Sequence, residues 1–541
     1  MRTHRDRVLL SVIGLALLVA APRVSAADDE APADAPAFEL IEADLATIQA
    51  AFDAGRLSAE ALTRDYLGRI DALDVDGPRL NTLISVNAGA LDRARALDVE
   101  PAGPGPRGPL YGIPILIKDS INAAGLPTTG GSAALRGHEP FHDATVVARL
   151  REAGAIVLGK SNLSEMQLAF GRYGYSSAGG QTRNPYNLRR TPYSCATAAA
   201  VAANLAMLGV GTDSVGELRG SASVTALVGI RPTLGLTSRA GVIPSALSLD
   251  VTGPLARSVR DAAMLLGVIA GVDRADPRTA EGAAEPIVDY LEGLAADALD
   301  GSRIGILVQY QGGNRDVDAA FQQAVRSLQK SGAVTVDIEF PDELTEGWRE
   351  MLDRVLDTEL RDQLNAYLRN TAGGMPHSLA DLLRMSESPV IAGSDTPVHP
   401  GRIGGYRSAL RSPGLADLGY LYILSNRMPA ARGAISGLMD ENKLDALALP
   451  TLLCPAGSLL DDYDSSYECN VDDPDRPTYL ASVTGYPEIT LPMGFSQQGL
   501  PLGLSLLGRP YSEALLIALA YAFEQATGHR RPPDSVSTTA D

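Results

Sequence analysis

The chain has 541 residues, 45% of them hydrophobic and 21% charged, with a formal net charge of −19 from 65 acidic and 46 basic side chains. It is too long for one minimal domain and too apolar for a disordered chain, and 54 glycines with 35 prolines fall short of low-complexity composition. The acidic balance argues against non-specific nucleic-acid binding, which needs a basic footprint, and does not favour an anionic membrane surface.

The first residues read as a leader. Arg2, Arg5 and Arg7 form a basic stretch, residues 8–21 are apolar, and Val24-Ser25-Ala26 is a small-residue cleavage signal. The apolar run is shorter than the roughly 20 residues that span a bilayer, which favours cleavage near Ala26 over anchoring. Residues 1–26 are thus expected to be a signal peptide, and the mature chain to be periplasmic or secreted. Residues 27–38 are expected to be a flexible mature N-terminus, 39–532 a single domain and 533–541 a flexible tail.

Helical spacing begins near residue 39 (Leu40, Ile41, Leu45, Ile48, Phe52), and a second helix follows Ser58 towards Ile70 and Leu73. An apolar strand over 113–117 runs into Lys118; a helix over 144–153 leads to a strand over 155–158. The Ala-rich run 196–208 reads as a buried helix rather than a membrane span. Further on, strands are expected at 303–308, 334–340, 444–449, 489–491 and 502–507, with helices at 315–331 and 512–527. This alternation means α/β with a mostly parallel or mixed sheet. Lysine occurs only at 118, 160, 330 and 443, so Lys118 at the end of an apolar run asks for a chemical reason. Of the three cysteines, Cys454 and Cys469 can pair across a Pro/Gly/Asp-rich loop and leave Cys195 odd; three unpaired thiols is the other reading. His138 and His142 lie four apart beside Asp143, but Pro140 intervenes and no third ligand follows at zincin spacing, so a surface loop and no metal is expected. No phosphate-cradling glycine loop is present, and no cofactor is expected.

Several motifs occur in one order: Gly112-Ile113-Pro114-Ile115-Leu116-Ile117-Lys118-Asp119, Leu158-Gly159-Lys160-Ser161-Asn162-Leu163-Ser164-Glu165, Gly179-Gly180-Gln181-Thr182-Arg183-Asn184-Pro185, Gly211-Thr212-Asp213, Gly229-Ile230-Arg231-Pro232-Thr233-Leu234-Gly235 and Gly253-Pro254-Leu255-Ala256-Arg257-Ser258-Val259. With Gly485-Tyr486-Pro487 and Leu491-Pro492-Met493-Gly494 they resemble the amidase signature family, bacterial peptide amidases most of all, over roughly residues 39–532. The resemblance implies one α/β domain, a large mixed sheet covered on both faces by helices. It also implies a Ser–cis-Ser–Lys triad in which a neutral lysine draws a proton through a bridging serine and a second serine attacks an amide carbonyl. Backbone N–H groups of a glycine-rich turn hold the oxyanion. Lys118 matches the base. Gly179, Gly180, Asp213, Ser214, Val215 and Gly216 match substrate-binding positions.

Two departures follow. The family's turn reads Gly-Thr-Asp-x-Gly-Gly-Ser-x-Arg, and here it is Gly211-Thr212-Asp213-Ser214-Val215-Gly216-Glu217-Leu218-Arg219. Glu217 stands at the nucleophile position and β-branched Val215 at the first glycine. The segment that supplies the bridging serine reads Arg190-Thr191-Pro192-Tyr193-Ser194-Cys195-Ala196, without glycine and about two residues short. Counting back from Glu217 places Tyr193 at the bridging position, counting forward from Arg190 places Cys195 there, and Ser194 lies between. Ser214 as a displaced nucleophile is three positions off register.

A carboxylate is not a like-for-like nucleophile, because its attack on an amide would give a mixed anhydride. Glu217 is expected to pair with Lys118 and keep it protonated. The chain is therefore expected to resemble exported hydrolases of C-terminal peptide amides with the serine mechanism impaired. Two alternatives are a non-catalytic binder of an amide or peptide, and hydrolysis by Cys195, Glu217 and Lys118 in the roles of a nitrilase-type triad. A small amide or amidated peptide is the expected ligand, with no nucleic acid and no membrane span.

Overall fold

Strand pairing sets the architecture. The structure, a computed structural model, describes residues 38–100, 107–167, 173–284, 288–459 and 464–536. The expected leader and residues 27–37 lie outside these, as do residues 537–541. The strands are β1 (Leu83–Val86), β2 (Pro114–Lys118), β3 (Ile156–Ser161), β4 (Tyr175–Ser176), β5 (Gly180–Gln181), β6 (Leu208–Asp213), β7 (Val228–Arg231), β8 (Val251–Ala256), β9 (Arg303–Leu307), β10 (Val334–Ile338), β11 (Ala446–Pro450), β12 (Glu488–Phe495) and β13 (Pro501–Leu507). Eleven of them form one sheet in the order β1-β3-β2-β6-β8-β7-β12-β13-β11-β9-β10, and β4 pairs with β5 apart from it. β2 runs parallel to β3 and β6, and β9 parallel to β10 and β11, while β6–β8, β8–β7, β7–β12, β12–β13 and β13–β11 are antiparallel. The class is α/β with a large mixed sheet, as the sequence implies. The described residues from Leu40 onward cluster as one compact unit.

Local chemistry accounts for the elements. Helix Ala59–Ile70 starts where Ser58 Oγ accepts from Ala61 N at 3.1 Å. Helix Arg315–Lys330 starts where Asn314 Oδ1 accepts from Asp316 N at 2.9 Å, and it buries Val317, Phe321, Ala324 and Leu328 as one stripe. Every residue of β2 is buried, the mark of a strand covered on both faces. The first helix begins at Leu45 rather than near 39, because Glu42 is at φ 58° and Asp44 provides the cap. The buried helix expected over 196–208 is Ala196–Ala202; Asn204, at φ 54°, ends it, and β6 follows from Leu208.

Glycine-bearing strands β6, β7 and β8 were not anticipated. Their glycines serve close approach: a Cβ on Gly209 would lie 2.3 Å from Thr197 Cγ2, and one on Gly253 would lie 2.1 Å from Ile230 O. A helical layer also escaped the sequence reading: Trp348–Leu368, Leu379–Ser386, Pro400–Arg411, Leu418–Tyr422 and Met428–Glu441. Near the C-terminus Arg530 pairs with Glu42 at 2.8 Å, and Ser535 Oγ donates to Pro185 O.

Cys454 and Cys469 form a disulfide and Cys195 is a buried free thiol. Closing a loop of 15 residues restricts the unfolded chain by about 3 kcal/mol. The double variant Cys454→Ala/Cys469→Ala is expected to lose about that much stability in urea unfolding, and reductant is expected to destabilise the parent but not the variant.

Candidate active site

Sheet register brings the chemistry together. Ile117 on β2 pairs with Val210 on β6, so Lys118 ends its strand beside Thr212, where two parallel strands deliver their carboxyl ends to one place. Lys118 is fully buried. Its Nζ donates to Thr212 Oγ1 at 2.7 Å, Gln167 Oε1 at 3.3 Å and Thr212 O at 3.5 Å. Thr212 Oγ1 also donates to Gln167 Oε1, and Gln167 Nε2 donates to Ile243 O at 2.8 Å. The sequence reading missed Gln167, which follows its second motif by two residues and sits at φ 68°. Lys160, the other buried lysine, belongs to a separate network with Asp119 (3.3 Å) and Thr128 Oγ1 (2.6 Å); burial lowers its pKa against the pull of Asp119.

After β6 the chain turns into helix Glu217–Val224 around one carboxylate. Asp213 accepts from Gly216 N (3.1 Å), Leu218 N (3.2 Å) and Arg219 N (3.3 Å). It also accepts from Arg219 Nε (3.0 Å) and Nη2 (2.9 Å) and from Arg231 Nη1 (2.7 Å). Burial pushes this carboxyl's pKa up, but the two guanidiniums outweigh it and hold the group well below the usual range. Asp213 is thus the anchor of the turn, and the substrate-binding role the resemblance implied for it does not fit its full set of internal partners. The positive φ of the turn falls on Gly216 (115°), where a Cβ would also meet Thr478 Oγ1 at 2.6 Å. Val215 escapes that requirement, which is why a β-branched residue fits there; its carbonyl accepts from Thr478 Oγ1 at 2.9 Å.

Glu217 folds back over this turn. Its Oε2 accepts from Ser214 N at 2.6 Å and Val215 N at 2.8 Å. With Gly216 N committed to Asp213, each backbone N–H from 214 to 216 has an acceptor. The expected Lys118–Glu217 ion pair is not formed. Lys118 is held by neutral oxygens, and the backbone donors attract the carboxylate more closely than the ammonium does. Burial and the negative charge of Asp213 raise the Glu217 pKa; Lys118 acts on it only at longer range, downward.

The segment 193–195 divides. Tyr193 is at φ 65° and stacks on Tyr173 with centroids 4.4 Å apart, its ring against Gly220. Ser194 is buried and its Oγ has no hydrogen-bond partner among the described residues. Both line the same cleft as Glu217. Cys195 points away from it: its thiol is fully buried beside Ala198, Leu218 and Leu255 and donates to Thr197 Oγ1 at 3.3 Å. The triad of Cys195, Glu217 and Lys118 is therefore corrected, since the thiol faces the core.

The cleft is about 460 Å³. Its floor is Gln167, Ser194, Val215 and Glu217; its far wall is Arg349, Asp353 and Asp357 on helix Trp348–Leu368 and Gly401, Gly404 and Ser408 on helix Pro400–Arg411. A neighbouring pocket of about 480 Å³ shares Tyr173, Tyr193 and Asp475 with it. Gly179 and Gly180, expected in the binding site, lie instead against Asn162: a Cβ on Gly179 would meet Asn162 Oδ1 at 2.7 Å, and Gly180 O accepts from Asn162 Nδ2 at 3.1 Å. Ser214 Oγ is turned to Asp250 Oδ1 at 2.6 Å, away from a nucleophile's role. His142 is exposed as expected, but His138 is buried against Tyr367, with ring centroids 6.1 Å apart.

Known proteins share this fold. A family model, Amidase, matches residues 61–517. The chain is similar to the solved peptide amidase of Stenotrophomonas maltophilia, with 39% identity and TM-score 0.81 over 91% of this chain and 98% of that one. A peptide amidase solved in complex with the competitive inhibitor chymostatin matches at 40% identity and TM-score 0.82, covering 92% of this chain and all of that one. A component of the glutamyl-tRNA(Gln) amidotransferase of Moorella thermoacetica is 36% identical over 484 residues, 88% of this chain and 95% of its own.

Asp250, beneath the turn, gives a pH signature. Burial raises its pKa to about 7 from 3.8, against the donors Ser214 Oγ, Ser245 N and Ala246 N. The folded state favours the neutral carboxyl, so its contribution to stability is full below about pH 4 and is lost as pH rises through about 7. The stability of the parent relative to Asp250→Asn, measured by urea unfolding across pH 4 to 7.5, is expected to fall by up to about 4 kcal/mol. A pH-independent difference would refute this.

Proposed function

Because the chain belongs to the amidase signature family, we propose that it is an exported amide- or amidated-peptide-binding protein in which serine hydrolysis is impaired. The observation that carries this reading is the Glu217 carboxylate on Ser214 N and Val215 N. Amide hydrolysis needs a nucleophile, a base and donors aimed where negative charge develops on the carbonyl oxygen. Losing one such donor costs about a hundred- to a thousandfold in kcat. Here two donors are engaged by an internal carboxylate that would also repel the incoming charge.

Lys118 keeps the position of the base, but its nearest partners are Thr212 and Gln167 rather than a nucleophilic hydroxyl. The cleft is of a size that takes small amides, and a peptide amidase of the same fold holds chymostatin. The leader-like N-terminus supports export, and the Cys454–Cys469 disulfide is consistent with an oxidising compartment. Among the described residues no helix is long and apolar enough to cross a membrane.

A second reading, hydrolysis by Ser194, is favoured by one observation: its unpartnered hydroxyl lines the same cleft as Glu217. It would require Glu217 to leave the turn and accept the hydroxyl proton.

The purified mature chain is expected to bind C-terminally amidated peptides without hydrolysing them above the buffer rate, measured by ammonia release. Efficient turnover abolished by Lys118→Ala would overturn the reading, and turnover abolished by Ser194→Ala would establish the second. Glu217→Ser with Val215→Gly and a restored Gly-Ser-Ser-Gly-Gly-Ser loop is expected to gain hydrolysis. Mass measurement of the chain from an expressing bacterium is expected to show cleavage near Ala26, and an uncleaved cytoplasmic chain would refute export.

A further inference from the structure

The far wall of the cleft is built from two helices with opposite character. On Trp348–Leu368, Arg349, Asp353 and Asp357 recur every four residues and so share the face turned to the cleft. On Pro400–Arg411, Gly401, Gly404 and Ser408 follow at spacings of three and four and so share one face. A Cβ at Gly404 would meet nothing within 4 Å, so this face leaves room beside the acidic one.

The charges do not balance. Among the described residues, Glu217, Asp353, Asp357 and Asp475 line the cleft with one basic side chain, Arg349. Arg349 is already engaged by Asp353 at 3.2 Å, Asp473 at 3.6 Å and Tyr479 Oη at 2.8 Å. Asp357 accepts from Ser408 Oγ at 2.6 Å and Asp475 from Tyr173 Oη, but among the described residues neither has a cation within ion-pair distance. Burial raises the Asp475 pKa against its tyrosine donors and the more distant charge of Arg349, and the buried Arg402 guanidinium feels the charge of Asp357 from beyond ion-pair distance. Independently of the acids, the buried Ser194 Oγ lines this cleft with no partner of its own. That leaves one unmet hydrogen-bonding group for a polar ligand atom.

We propose that the cleft selects amides that carry a positive charge, a primary amine or guanidinium, with Asp357 and Asp475 as the residues that determine this preference. The cation lies towards these two carboxylates, and the neutral amide lies towards Ser194. This rests on the amide-binding reading above and adds the ligand class to it.

The test is calorimetric titration of the purified mature chain with N-acetyl-lysinamide, N-acetyl-norleucinamide and the α-amide of N-acetyl-glutamic acid. The lysine compound is expected to bind at least about tenfold tighter than the norleucine compound, which lacks the amine, and the glutamate compound most weakly. The lysine-to-norleucine ratio is expected to shrink severalfold in Asp357→Asn and in Asp475→Asn, and on raising salt. A ratio of affinities does not depend on the folded fraction of a variant, so partial misfolding does not mimic the result. Equal binding of lysine and norleucine compounds, or a ratio indifferent to both substitutions, would overturn the charge preference and leave amide binding intact. Failure of all three to bind would overturn both.

Discussion

The site hangs on the carboxylate of Asp213. It ends β6, gathers three backbone N–H groups of the following turn, and takes Arg219 from the helix and Arg231 from β7. Arg219 continues to Glu488 on β12 at 2.8 Å, so one buried chain of alternating charges stitches a turn, a helix and three strands. Removing one partner from such a network strands the others in a low-dielectric interior, at a cost of about 3–5 kcal/mol. The turn's shape is therefore fixed independently of the residue at position 217. A glutamate can stand where the family has a serine without disturbing the scaffold.

That independence explains how the fold can accommodate a different residue at position 217. Position 217 starts a helix whose N-terminal N–H groups seek an anion. Asp213 takes the helix donors Leu218 N and Arg219 N, and the glutamate is long enough to reach back to Ser214 N and Val215 N in the turn before it. Lys118, placed by β2 rather than by the turn, stays where strand register puts it and finds Thr212 and Gln167 instead.

Much of this was legible in the residues. β2 announces itself by an unbroken apolar run, β9 and β13 by runs of Ile or Leu dense enough to outweigh one glycine each, and the Asp213-to-Arg219 spacing identifies the turn and the odd residue within it. The glycine-bearing strands β6, β7 and β8 were hidden because their glycines, read locally, signal turns, while their real task is close approach to Thr197 or Ile230. The partner of Glu217 was misjudged because sequence ranks charges by sign, whereas backbone donors two and three residues away are nearer than any side chain. Gln167 and the face of Arg349, Asp353 and Asp357 were invisible, since only tertiary packing carries those residues to the cleft.

Glu217 has one more consequence. A carboxylate fixed by the chain beside two donors behaves as a tethered ligand, and well-oriented intramolecular groups act at effective concentrations far above any solute, up to about 10⁵ M or more in favourable geometry. Any external anion must displace it before touching those N–H groups. Salts, carboxylate products and transition-state mimics that exploit such turns are thus excluded by competition from within. What the cleft can still recognise is whatever binds without needing an oxyanion's place.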